Sequence, residues 1–106
     1  MQILKTIFFI VFLFFSFHSF SQQIESYTIS GYITEKGSKE NLPGANIYVP
    51  KLKLGTTSNI YGFYSITLPA DTIELIVSYT GYKTSYSKFK LDKSTLLDVA
   101  LENNSQ

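Results

Sequence analysis

The sequence predicts an all-β protein, a small antiparallel β-sandwich of six or seven strands with Greek-key-like connections, preceded by a signal peptide. Two observations predict the sandwich. Beyond residue 26, apolar and polar residues alternate with period two, which places one set of side chains on one face of a pleated strand. Turn residues separate these runs at intervals of roughly 8 to 12 residues. A closed barrel is the alternative, but short strands and unequal loops favour two sheets.

A third observation, the apolar start of the chain, predicts the signal peptide. Seven of the nine Phe lie in the first twenty residues, where Lys5 is the only residue of fixed charge. The apolar run over residues 7–17 is followed by small residues at positions that a signal peptidase reads. We therefore expect cleavage between Ser21 and Gln22. A retained membrane-spanning helix is the alternative, but it needs about 20 apolar residues, and this run has only eleven positions.

Removal of the leader leaves a body whose charges balance. Of the 9 basic residues, Lys5 belongs to the leader, so 8 remain against 8 acidic residues. Because there is no basic excess, we expect neither nucleic acid nor an anionic lipid surface as a partner. The chain contains no Cys, which excludes a lipid-modified bacterial lipoprotein. A sandwich of this size must then be held by core packing alone.

The body also lacks the residues of the common catalytic centres. The one His of the chain, His18, lies in the leader. The body therefore offers no Ser-His triad, no Cys-His dyad and no zinc site of His or Cys ligands. The nearest carboxylate pairs are Glu35 with Glu40 and Asp71 with Glu74. Paired carboxylates serve glycoside hydrolysis, but both pairs lie in or beside predicted turns. We expect no enzyme activity, no metal and no cofactor.

The first two predicted strands lie on either side of a polar loop. The first, residues 27–34, alternates an apolar set that includes Gly31 with polar residues. The second, residues 45–49, follows a turn at Pro43 and Gly44. It ends before the next proline, because proline cannot donate to a strand ladder.

The remaining strands are separated by turn residues. A short third strand is expected at residues 55–58 and a fourth at 63–68, which ends in the turn Pro69-Ala70-Asp71. Residues 73–79 form the most hydrophobic strand, which we expect to be central. Gly81 breaks the pattern through a positive φ or a bulge. A more polar edge strand at 82–89 follows, and residues 97–101 close the series.

Four segments of the body together resemble the carboxypeptidase regulatory-like domain. They are, in order, ISGYI at residues 29–33, LPGANIYV at 42–49, GTTSNIYGFYSI at 55–66 and LIVSYTGY at 75–82. The resemblance covers nearly all of residues 27–101. It implies a transthyretin-like, or prealbumin-like, β-sandwich.

The resemblance also implies a function. In Gram-negative bacteria, such domains commonly follow a signal peptide at the N-terminus of TonB-dependent outer-membrane receptors, ahead of the plug and the barrel. It implies a non-catalytic accessory domain of a transport protein, exported to the periplasm or outer membrane. Its partners would be a plug and barrel in cis, absent from this fragment or truncated form, or other envelope proteins. The alternative is a free-standing secreted binding sandwich, with a protein or carbohydrate ligand that the sequence does not identify.

The motif residues have physical interpretations of their own. Gly62 is expected in a tight turn that enters a strand, and Asn59 is expected to stabilise that turn. Tyr79 and Tyr82 suit either a sugar-stacking platform or, more commonly, packing at the end of a sheet. The residues expected to have structural roles are Gly31, Pro43, Gly44, Ala45, Gly55, Thr56, Asn59, Gly62, Tyr64, Tyr79, Gly81 and Tyr82. The segments are a signal peptide at 1–21, a linker at 22–26, the domain at 27–102 and a polar tail at 103–106.

The leader generates the first testable prediction. Protein recovered from the periplasm or envelope of the producing cells should begin at Gln22, because the small residues before it suit a signal peptidase. Intact-mass measurement on that protein checks the prediction. A mass that includes Met1 would contradict cleavage.

Overall fold

The computed structural model describes residues 2–16 and 23–104, so the predicted cleavage site at Ser21 and Gln22 lies outside the described residues. One helix, α1 (Gln2–Ser16), precedes the strands. In the described part of the chain, no helix has the length and apolar character needed to cross a membrane. The strands are β1 (Ser26–Glu35), β2 (Asn46–Val49), β3 (Leu54–Thr57), β4 (Phe63–Pro69), β5 (Asp71–Ser78), β6 (Ser85–Leu91), β7 (Thr95–Leu96) and β8 (Val99–Leu101).

The strands form two sheets, which confirms the predicted β-sandwich. In the first sheet β1 lies between β4 and β7, and β8 also pairs with β1. The second sheet has the order β3-β2-β5-β6. The hydrophobic strand β5 is therefore internal and the more polar strand β6 lies at an edge, both as predicted. Antiparallel pairing joins β1 to β4, and β5 to both β2 and β6.

One part of the pairing differs from the antiparallel prediction, because β1 pairs in parallel with both β7 and β8. The direction follows from where β6 ends. Leu91, the last residue of β6, lies opposite Asp71, and the Pro69-Ala70-Asp71 turn places that end of the sandwich beside the start of β1. The chain crosses to the first sheet there, so β7 and β8 must run in the same direction as β1.

The last predicted strand, residues 97–101, is divided in the structure. Two residues, Leu97 and Asp98, separate β7 from β8. Beyond β8 the chain stays bound, since Asn103 forms a bridge with Tyr82 and the Asn104 amide donates to the Gly81 carbonyl over 2.9 Å. Residues 103–104, which the sequence analysis assigned to a polar tail, thus pair with the bend before β6.

The hydrophobic core lies between the two sheets. The apolar residues at alternate positions of the second and fifth predicted strands, counted from Ala45 and from Ile73, are buried, apart from half-buried Tyr79. The buried apolar residues are Ile29, Ile33, Leu42, Ala45, Ile47, Val49, Tyr64, Ile66, Leu68, Ile73, Leu75, Val77, Leu91, Val99 and Leu101. These side chains come from both sheets, so each sheet depends on the other for its stability.

The core generates the second prediction. Val77→Asp should destabilise the domain by roughly 3 kcal/mol or more, since it would place a carboxylate without a partner among apolar side chains. Val77 is 1% exposed and lies opposite Ile47 of β2. Thermal unfolding followed by circular dichroism measures the effect. Thr72→Asp, at an exposed position of the same strand, is the control and should melt close to wild type. An unchanged melting temperature for Val77→Asp would contradict the burial of this face.

Candidate functional site

Two turns that contain motif residues meet beside the second half of β1. The Ile33 amide donates to the Gly62 carbonyl over 2.7 Å, and the Leu42 amide donates to the Ile33 carbonyl over 2.9 Å. Gly62 has a φ of 77°, and a Cβ there would lie 2.8 Å from the Ile33 carbonyl oxygen. Asn59 Oδ1 accepts hydrogen bonds from the amides of Tyr61 and Phe63, at 2.9 and 3.0 Å. Both motif residues therefore shape the backbone of the turn.

Ser58, which follows β3, forms hydrogen bonds with the turn before β2. Its hydroxyl donates to the Leu42 carbonyl over 2.6 Å and accepts from the Ala45 amide over 2.8 Å. The side chain is only 5% exposed. Pro43 and Gly44, with its φ of 78°, form the turn that these two Ser58 hydrogen bonds stabilise. Ser58 is not among the residues predicted from the sequence, although it lies two positions after half-buried Thr56 and is polar, which was the available signal.

The division between β7 and β8 lies against Gly31. A Cβ on Gly31 would lie 2.1 Å from the Leu97 carbonyl oxygen, so only glycine fits at this position of β1. The Leu97 amide donates to the Ser30 carbonyl over 2.8 Å. Tyr64, directly opposite Gly31 on β4, donates from its hydroxyl to the Leu97 carbonyl over 2.6 Å. The motif residues Gly31 and Tyr64 thus hold the C-terminal segment against β1.

Asp98 adds a further hydrogen bond between the C-terminal segment and β1. Its Oδ1 atom accepts a hydrogen bond from the Tyr32 amide over 2.8 Å. Burial, together with the nearby negative charge of Asp98, raises the pKa of Tyr64 to about 12. The Tyr64 hydroxyl is therefore neutral over the physiological pH range and remains a hydrogen-bond donor.

Tyr79 and Tyr82 lie together at the bend before β6. Their ring centroids are 5.5 Å apart, and both half-buried rings pack against the core. The Tyr82 hydroxyl donates to Glu35 Oε2, and this hydrogen bond, followed by burial and the charges of Glu35 and Glu40, raises the pKa of Tyr82 to about 12. Gly81 between the tyrosines has a φ of 90°. The pair is arranged as packing at the end of a sheet rather than as a flat exposed platform.

One carboxylate of each pair weighed above, Glu35 and Asp71, has a structural partner. Glu35 accepts from Tyr82, as described. Asp71 forms an ion pair of 2.7 Å with Lys51 on the surface, and its hydrogen bonds to Lys51 and to the Thr72 amide lower the pKa of that carboxyl. Across residues 2–16 and 23–104, no three His, Cys, Asp or Glu side chains lie close enough together to hold a metal ion.

The outer face of the second sheet carries two exposed tyrosines on either side of a half-buried isoleucine. Tyr48 of β2 lies opposite Ile76 of β5, and Ile76 lies opposite Tyr86 of β6. Tyr48 and Tyr86 are 43% and 67% exposed. Gly55 lies on the other side of Tyr48, and a Cβ there would meet the Ile47 carbonyl oxygen at 2.9 Å. Its neighbour Thr56 lies opposite Ile47 and is half-buried.

Residues 29–106 match the family model of the CarboxypepD_reg-like domain. Among curated proteins, TonB-dependent receptor P3 of Formosa agariphila is 34% identical over 74 residues, which are 70% of this chain. The aligned part is 7% of the receptor, so the chain spans a small fraction of that relative's length.

Solved structures share the fold. A catechol 1,2-dioxygenase mutant from Acinetobacter radioresistens superposes with a TM-score of 0.64 over 83% of this chain and 55% of the enzyme, at 11% identity. A putative membrane-associated protein of unknown function from Bacteroides fragilis gives a TM-score of 0.56 at 23% identity, over 76% of this chain and 29% of its own. A DUF3823 family protein from Parabacteroides merdae gives 0.54 at 14% identity, over 76% and 47%. At these identities the likeness shows the fold alone.

The contact of the Leu97 carbonyl with Gly31 and Tyr64 generates the third prediction. Tyr64→Phe should lower the free energy of unfolding by about 1 to 2 kcal/mol at neutral pH, because the partly buried Leu97 carbonyl loses its hydroxyl donor while the ring still fills the core. Urea denaturation measures the loss. Tyr86→Phe, which removes an exposed hydroxyl from β6, is the matched control and should leave stability unchanged.

The pH dependence of this difference tests the burial of the Tyr64 hydroxyl, which is the first cause of its raised pKa. Tyr64 has a folded pKa of about 12, above its ordinary value of 10.0. The contribution of a group with a raised folded pKa is complete below the unfolded pKa and is lost as the pH rises through the folded pKa. The stability difference between wild type and Tyr64→Phe should therefore shrink from pH 10 to 12. A stability difference that stays constant between pH 10 and 12 would contradict the burial of the Tyr64 hydroxyl.

Proposed function

This chain belongs to the family of CarboxypepD_reg-like domains, and from that premise we propose that it is a non-catalytic accessory domain of a TonB-dependent outer-membrane receptor. The alignment of 74 residues with TonB-dependent receptor P3 carries the proposal. The accessory domain would act in cis with the plug and the barrel of such a receptor. The substrate of the transporter would be selected by those parts and not by this domain.

The roles of the motif residues support a scaffold rather than a reaction centre. Gly31 and Gly62 provide space for close backbone approach, and Asn59 caps a turn with its side-chain oxygen. The hydroxyl of Tyr64 is bound to the backbone of the C-terminal segment. These residues therefore have roles in holding the sandwich together, which supports a non-catalytic domain.

The proposed location is the periplasmic side of the outer membrane of a Gram-negative bacterium. Two features support it, namely the receptor relative and the apolar leader that forms α1. Export would proceed through cleavage before Gln22. In the mature protein the domain would then precede the membrane-embedded parts of the receptor.

A second function, a free-standing secreted binding sandwich, is favoured by one specific observation. Tyr48 and Tyr86 are exposed on the outer face of the second sheet, on either side of half-buried Ile76, and tyrosine offers a ligand both an apolar ring and a polar hydroxyl. Protein and carbohydrate ligands both suit such a face. The two functions differ in what the gene encodes after this domain.

The fourth prediction concerns that difference. The genomic DNA after the codon for Gln106 should continue as an open frame that encodes a plug and a long series of amphipathic strands. A tagged product of that complete frame should be found in the outer-membrane fraction. The same product without residues 2–16 is the control and should stay in the cytoplasm, since it lacks the apolar leader. A stop codon after Gln106 with no receptor gene beside it would contradict the receptor and favour the binding module.

A further inference from the structure

The first and last strands of the domain are neighbours and run in the same direction. Residues 33–35 of β1 pair in parallel with residues 99–101 of β8, and Ile29 and Ser30 pair in parallel with β7. The chain therefore enters the sandwich at the start of β1 and leaves β8 beside the far end of β1. At about 3.3 Å for each residue, the ten residues of β1 separate these two points by about 30 Å.

This arrangement decides how the domain responds to tension. If the segments before β1 and after β8 are pulled apart, the two strands slide past each other along their common direction. All hydrogen bonds between them then bear the load together and must break nearly at once. If instead the two strands were pulled from the same end, the bonds would break one after another, and each would bear the whole load in turn.

From this geometry we propose that the joint between β1 and the segment 95–101 is a tension-bearing clamp, which keeps the domain folded when the polypeptide on its two sides is pulled apart. The clamp includes more than the strand ladder. The Leu97 amide donates to the Ser30 carbonyl, the Lys36 amide donates to the Leu101 carbonyl, and the Tyr32 amide donates to Asp98, each over 2.8 Å.

The close contact between Gly31 and the Leu97 carbonyl adds a steric barrier to sliding of the C-terminal segment along β1. The Leu97 carbonyl oxygen occupies the space that a Cβ would take at Gly31, the only glycine of β1. If the C-terminal segment slid along β1, this carbonyl would meet residues that carry a Cβ. The hydroxyl of Tyr64 also holds the same carbonyl from the core side. Sliding therefore has to break a partly buried hydrogen bond and move the Leu97 backbone away from Gly31 before the strands can separate.

The clamp is a property of these residues and does not rest on the receptor proposal. A domain that bears tension between its two ends suits any protein in which the preceding and following segments are held or moved separately. The role would be mechanical, with the flanking polypeptide as the partner through which the load arrives.

The fifth prediction compares two directions of pulling on the same domain. The chain contains no Cys, so introduced cysteines give unique attachment points for single-molecule force spectroscopy on the full chain. Ile24→Cys with Glu102→Cys pulls β1 and β8 from opposite ends. Lys36→Cys with Glu102→Cys pulls both strands from the same end. All three positions are exposed, and equal melting temperatures of the two double variants would establish that both are folded.

At one loading rate, the opposite-end pair should unfold at a force at least about twofold higher than the same-end pair, because forced unfolding is governed by the barrier on the pulled path. Asp98→Ala, which removes the acceptor of the Tyr32 amide, should lower the opposite-end force and leave the first same-end rupture unchanged. Asp98→Asn keeps an oxygen acceptor at this position and is the matched control. Equal forces in the two directions, or an equal loss from Asp98→Ala in both, would overturn the clamp.

These outcomes are independent of the genomic test of function. The force measurement does not depend on what the gene encodes after Gln106. A clamp without a receptor, or a receptor without a clamp, would each be recognised from its own experiment.

Discussion

The backbone of Leu97 lies in a space that any side chain at Gly31 would fill, and much of the first sheet depends on this contact. It brings the C-terminal segment so close to β1 that the segment cannot run as one regular strand, and the chain is divided into β7 and β8. Tyr64 from the core and Asp98 from the outside then supply the hydrogen bonds that a continuous ladder would have supplied. The free edge of β1 is closed in this way.

A second set of hydrogen bonds supports the turn before β2 in the other sheet, where the Ser58 side chain binds backbone groups that no strand pairs with. Its buried hydroxyl satisfies the Leu42 carbonyl and the Ala45 amide, which an abrupt turn would otherwise leave without partners. Asn59 serves the neighbouring turn with its own side-chain oxygen. Small polar residues and glycines thus build the connections, while the apolar period-two residues build the core.

The alternation of apolar and polar residues explains how much of the fold could be predicted from the sequence. The strands of the second sheet alternate clearly, so their inward sets, including Ile47 and Val77, were predictable, as was the edge position of β6. The division at Leu97 was not, since it arises from contact with Gly31, a residue 66 positions earlier in the chain. Ser58 was missed because its two partners become adjacent only when the turn has formed. The motif glycines were recognised, but what approaches each of them depends on tertiary structure.

The parallel pairing of the first and last strands also has a consequence for the time at which the domain can fold. The Tyr32–Asp98 bond joins residues 66 positions apart, and contacts of such long separation make folding slow because the loop entropy must be overcome first. During synthesis, β1 lacks its neighbour on one side until nearly the whole domain has been translated. The proposed export would benefit from this delay, because a translocation channel that accepts extended polypeptide would receive a nascent domain that has not yet closed.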